Sequence, residues 1–340
     1  MILNVNELKM ASKLYIIGNG FDMHHGIKSG YSNYRGWLEE NDPDLYERLR
    51  EYYDVDDDEW WWQFEQSLGY PDMSDYIEQT AFENEPDFGS DDFRDRDYHA
   101  GQIQAEDEIG GLVKEIRDSF AEWVASLSLP LSDKKISLDQ DDAYFINFNY
   151  TDTLQSVYNV SDENILSIHG NVTKGTDLVL GHNRTYEEID TEYVVELPEP
   201  PADLDGVELA EWYDNHSDDG EDYIHQSVRG EVVSQISSLR KNTSGIIFAN
   251  KKTFESLKDV NHVFVYGLSF SPIDIPYIDE LIRHIDMNTV QWTVSYLTEE
   301  DLAKEQAYFK LKRIKASLVS YVKLDELLLV KEEEIPFETN

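Results

Sequence analysis

Between residues 262 and 314 the chain alternates twice between a short apolar run and a helical pattern. HVFVY is followed by a Gly-x-Ser turn and a helical stretch over 275–285, then VQWTVSYL and a helical stretch over 299–314. Strands rich in β-branched and aromatic residues, separated by helices of about 10–15 residues, predict right-handed crossover units on a parallel sheet. The same signature appears upstream. LYII (14–17) is broken by Gly18-Asn19-Gly20 before an amphipathic stretch, and AYFINF (143–148) precedes a helical pattern over 151–158. ILSI (165–168) is a further strand, and LVL (178–180) reads as another short one.

The expected fold class is therefore α/β, with a Rossmann-type, mostly parallel sheet and an inserted helical subdomain. The sheet domain is expected to comprise residues 10–36, 140–183 and 243–330. Residues 37–139 read as the helical insertion, with helical patterns at 44–53, 60–68, 73–82 and 103–127. Residues 184–242 form a second, acidic excursion carrying Pro198, Pro200 and Pro201, with a helix expected over 223–240.

Charge narrows the partners. The 340 residues hold 70 acidic and 28 basic side chains, a net charge of −42, which repels phosphate backbones and anionic membrane surfaces and argues against a nucleic-acid partner. The acids are uneven: residues 39–100 contain 22 against 4 Lys or Arg, and residues 186–231 contain 16 against one Arg. Such runs ordinarily serve solubility or adaptation to salt. With 40% hydrophobic and 12% aromatic residues the chain can still build a core. The absence of cysteine excludes disulfides, cysteine-ligated zinc and thiol catalysis. The N-terminal residues lack the pattern of a signal peptide, and no apolar stretch approaches the ~20 residues of a spanning helix, so a cytoplasmic location is expected.

Three segments carry chemistry. In IIGNGFDMHHGIKSG, Gly18 permits a tight turn, Gly20 permits close backbone approach, and the following helix start would offer N–H groups to a phosphate. The usual dehydrogenase fingerprint needs a third glycine where Met23 stands, which disfavours a conventional oxidoreductase. Asp22 suits either a helix cap or an acceptor for ribose hydroxyls. The second segment is the pair FINFNYTDT and ILSIHG, which ends two strands on Asn149 and His169. A neutral imidazole can act as a general base, and a carboxamide can orient water or a ribose hydroxyl without adding charge. Each alone is more often a satisfied turn residue. The third is VYGLSFSPIDIPY, where Gly267 and Ser269 end a strand and Ser271 or Asp274 precedes a helix; a plain capped turn explains it equally well. His24, His25, His169 and His182 lack the spacing of metal ligands, so no metal is expected. The Trp60-Trp61-Trp62 cluster reads as buried packing before it reads as a base-stacking surface.

In order, GNGFDMHHG, FNYTDTLQSVY, IHGN, LGHN and VYGLSFSPIDIPYI resemble the AbiH family of phage abortive-infection proteins, over residues 14 to about 280. The skeleton is also similar, more distantly, to sirtuin-like NAD-binding domains of bacterial defence proteins. In that pattern Gly18, Gly20 and Gly26 match the first turn, Asn149 and His169 the two strand ends, and Gly267 with Ser269 the last. It departs at Asp22, where a small serine is usual, at Thr151, where Asp is usual, and in having no zinc module. The resemblance implies NAD as substrate or ligand, cradled by Gly18, Asn19, Gly20, Phe21, Asp22, Gly26, Tyr150, Gly267, Ser269 and Asp274, with His169 and Asn149 catalytic. It further implies an antiphage effector that hydrolyses the N-glycosidic bond of NAD or a related nucleotide, a phage-derived trigger, and self-association. The alternative is a non-catalytic nucleotide-sensing or protein-interaction module.

Overall fold

The computed structural model describes residues 11–86, 94–127, 134–194, 200–201, 204–215 and 223–329, so Pro198 and part of the acidic excursion lie outside the described residues. Six strands form one sheet: β1 (Lys13–Ile17), β2 (Ala143–Asn147), β3 (Ile165–Ser167), β4 (His262–Tyr266), β5 (Gln291–Ser295) and β6 (Val319–Val322). All pair in parallel, in the order β3-β2-β1-β4-β5-β6. The chain thus winds outward from β1 in one direction and then, after β4, in the other, which makes the β1–β4 boundary a topological switch point.

Alternate residues of β1 explain why its sequence is apolar throughout. Leu14 and Ile16 enter a core with Ile146, Val263, Val265, Leu281 and Trp292, whereas Tyr15 and Ile17 enter another with Phe145, Leu154, Tyr158 and Tyr266. Both faces of the sheet are covered, as parallel strands require. Leu178–Leu180 does not form a strand: the Val179 N–H bonds to the His169 carbonyl at 2.9 Å and so returns to the loop it left. β6 and the helices Thr243–Ala249 and Lys251–Ser256 carry signals too short or too half-exposed to stand out in the sequence.

The contact pattern separates two compact units, one of Met1–Tyr34, Ala121–Val179 and Asn242–Asn340, the other of Arg35–Phe120 and Leu180–Lys241. The second unit has its own core. Met73, Ile77 and Ala81 from helix Ser74–Glu83, Ala105 and Ile109 from helix Ala100–Ser126, and Val228, Val232 and Ile236 from helix Tyr223–Ser238 pack together in it. Among the described residues no helix is long and apolar enough to cross a membrane.

Candidate active site at the strand rim

The glycine turn after β1 packs directly on the turn after β4. Gly18 N–H donates to Tyr266 O at 2.9 Å, and Gly20 N–H donates to Gly267 O at 2.8 Å. Gly267 holds φ at +70°, and a Cβ there would stand 2.1 Å from Phe21 N; one on Gly18 would stand 2.6 Å from Gly267 O. Backbone against backbone leaves no room for side chains, which is a sufficient physical reason for these glycines. The amides of Gly18, Gly20 and Phe21, which a diphosphate would use, are engaged within the protein, Phe21 N–H with Gly18 O at 2.9 Å, and helix Asn19–His24 spans only six residues. Asn19 is tied to Ser29, donating to its carbonyl at 2.9 Å and accepting from its hydroxyl at 2.5 Å. Phe21 is fully buried against His25 and Tyr158, and Gly26 (φ +80°) has open space beside it.

Asp22 neither caps the helix nor faces solvent. Its carboxylate accepts from Thr151 Oγ1 at 2.5 Å and Thr153 Oγ1 at 2.6 Å, and it is 1% exposed. Burial raises its pKa, and hydrogen bonds from Thr151, Thr153 and Asn149 counter part of that rise. The carboxylate thereby fastens the glycine turn to the loop after β2. In that loop Asn149 is buried; its Nδ2 donates to Gly18 O at 3.1 Å, while its Oδ1 has no hydrogen-bond partner among the described residues. A buried amide oxygen without a donor is costly, and it marks a place where a ligand group would be welcome.

The loops after β3 and β4 complete the rim. His169 Nε2 lies 3.9 Å from Asp274 Oδ1, although β3 and β4 are separated in the sheet by β2 and β1. The imidazole is 3% exposed, edge-on to Phe148 at 5.2 Å and to Tyr277 at 5.6 Å, with Tyr150 at 6.3 Å. The Tyr150 hydroxyl donates to Val179 O at 2.9 Å. Asp274 Oδ2 accepts from Ser271 Oγ at 3.1 Å, Gly267 N–H donates to Ser295 Oγ at 2.8 Å, and Ser269 is exposed. His169, Asn149 and Asp274 thus lie at one edge of the sheet, with the imidazole walled by Phe148, Tyr150 and Tyr277. Thr153, Tyr277 and Ser295 were not singled out in the sequence. Thr153 was legible in principle, as the second threonine of NYTDT.

The other candidates lie elsewhere. His25 bridges Phe21 O and Tyr158 OH, His24 contacts Lys134 O and Asp325, and His182 faces Ile236 O in the helical unit. Trp61 is buried and donates to Val55 O at 2.8 Å, whereas Trp62 faces outward. Two concavities among the described residues lie on the helical unit, one bounded by Asn84, Arg96 and Glu108, the other by Tyr70, Arg184 and Glu192. Neither gathers groups from the strand ends, so the chemistry of the rim, rather than the size of a hollow, selects the candidate site.

A six-stranded parallel sheet in this order, with polar loops converging beyond its carboxyl ends, defines a doubly wound α/β protein whose candidate site lies at the edge where sheets of this kind take their ligands. The chain belongs to the AbiH family of bacteriophage abortive-infection proteins, whose family model matches residues 14–296, and that membership indicates a role in phage abortive infection. No curated protein and no solved structure shows significant similarity to the chain.

Proposed function

We propose that this protein acts in abortive infection by taking up NAD, or a related nucleotide, at the strand rim and hydrolysing the N-glycosidic bond to nicotinamide. One juxtaposition supports the reading: His169 and Asp274, from the ends of β3 and β4, lie 3.9 Å apart, and Asn149, from the end of β2, bonds to Gly18 O in the glycine turn at the same edge of the sheet. As the glycosidic bond breaks, its electron pair leaves with nicotinamide and a sugar cation develops at C1′. The Asp274 carboxylate would face that cation, and His169 would take the proton of the water that attacks it. The free Oδ1 of Asn149 would accept from a ribose hydroxyl or from the water, fixing its approach.

The closed rim fits a harmful activity held silent until a phage-derived trigger opens it. The experiment is incubation of purified protein with NAD, with and without lysate of infected cells, following nicotinamide release. Release is expected in the triggered sample, with a loss of about 100-fold or more in His169→Ala. The second reading, a non-catalytic nucleotide-sensing module, is favoured by the near-complete burial of His169 and by the engagement of the turn amides. It prevails if no condition releases nicotinamide and His169→Ala still protects cells fully.

A further inference from the structure

Two residues after His169, Asn171 is entirely buried. Its Oδ1 accepts from Thr173 N–H at 3.0 Å and Lys174 N–H at 3.2 Å, with Thr173 Oγ1 2.7 Å away. Both donors are backbone amides, so the carboxamide cannot be turned around, and its Nδ2 must be the group that faces Asp152. Nδ2 donates to Asp152 Oδ1 at 2.6 Å, and the Thr173 hydroxyl donates to Asp152 Oδ2. Asn171 N–H closes the loop on Thr176 Oγ1 at 2.7 Å. Asp152 follows Asn149 by three residues, so the carboxylate–carboxamide pair joins the loop that carries His169 to the loop that carries Asn149. Asp22, through Thr151 and Thr153, joins the latter in turn to the glycine turn. Three rim loops are coupled in series.

We infer that Asp152 and Asn171 are positioning residues that hold His169 and Asn149 in register across the rim, without themselves touching the reacting atoms. The inference rests on the rim being the working site. It does not depend on which nucleotide reacts there.

Polarity makes the pair testable by exchange. Asn171→Asp sets two carboxylates against each other. Asp152→Asn leaves one oxygen to serve both Asn171 and Thr173. The double variant Asp152→Asn/Asn171→Asp restores an amide donor facing a carboxylate, and the carboxylate still accepts from residues 173 and 174. Phage protection, melting temperature and the His169 imidazole resonances, identified by their disappearance in His169→Ala, would be measured on the full chain. Each single variant is expected to lower protection about 100-fold and to shift those resonances, and the exchanged pair to return both to near wild type. Where nicotinamide release is measurable, kcat falls and KM holds. An exchanged pair that melts like wild type yet leaves protection and resonances as in the single variants overturns the inference, as do single variants without effect. A wild-type protein that protects but releases no nicotinamide refutes the NAD reading alone; rescue by exchange then still supports the coupling.

Discussion

At the scale of single residues, two buried titratable groups set opposite demands on pH. His25 Nδ1 faces Phe21 O at 2.7 Å and must donate, so Nε2 accepts from Tyr158 OH at 2.7 Å, and that hydroxyl in turn accepts from Ile136 N–H at 3.0 Å. Burial pulls the His25 pKa down to about 4. The unfolded chain therefore binds the extra proton more readily, and stability is lost as pH falls from about 6.5 toward 4, by about 2 kcal/mol. His25→Gln should remove that part of the acid sensitivity in urea melts; a pH-independent difference between the two proteins refutes it. Glu305 is the converse. Burial, then the Asp301 charge one turn earlier, raises its carboxyl to about 8, and its Oε2 has no hydrogen-bond partner among the described residues. Here the folded state holds the proton, so stability falls as pH rises from about 4.5 through 8. Glu305→Gln should be more stable than wild type by about 2 kcal/mol at pH 9 and equal to it near pH 4. Equal melting curves at pH 9 would rule this out.

At the scale of elements, the glycines separate two kinds of constraint. Gly267→Ala drives a methyl into the backbone of the neighbouring turn, where nothing flexible can yield, and should cost about 3 kcal/mol or more, or abolish soluble expression. Gly26→Ala meets open space and suffers only its positive φ, so about 1 kcal/mol is expected. Denaturant unfolding ranks the two, and equal effects would defeat the interlock account. This contrast also marks what could be read in advance. LYII, AYFINF and HVFVY fall within a residue of β1, β2 and β4, because short runs of β-branched and aromatic residues bounded by glycine or polar turns have few other uses. That residues 18, 20 and 267 must be glycine was equally visible. The reason was not, because local pattern cannot reveal that two turns separated by almost 250 positions lie against each other; a phosphate cradle explains the same letters. Leu178–Leu180 misled because three apolar residues fit a strand as readily as a loop returning to His169 O.

At the scale of the whole molecule, the helical unit holds 43 acidic and 11 basic side chains, a net −32 of the total −42. The two acidic stretches were evident in the sequence. That their apolar faces enclose one common core was not, since nothing local pairs Ile77 with Val232. Like charges at this density oppose compaction, so raising KCl from about 0.05 to 0.5 M should raise the melting temperature by several degrees. A melting temperature indifferent to salt would mean that the acids are already compensated. One last consequence concerns synthesis. β1 meets its first neighbour 130 positions later and its second 249 positions later. The ribosome thus delivers the central strand long before either flank exists, and the nascent chain carries a hydrophobic segment with two open hydrogen-bonding edges while the rest is made. A premature stop between Ser167 and His262 would leave half a sheet, with β1 open along the edge that β4 would cover, a species expected to aggregate or be proteolysed rather than to retain partial activity.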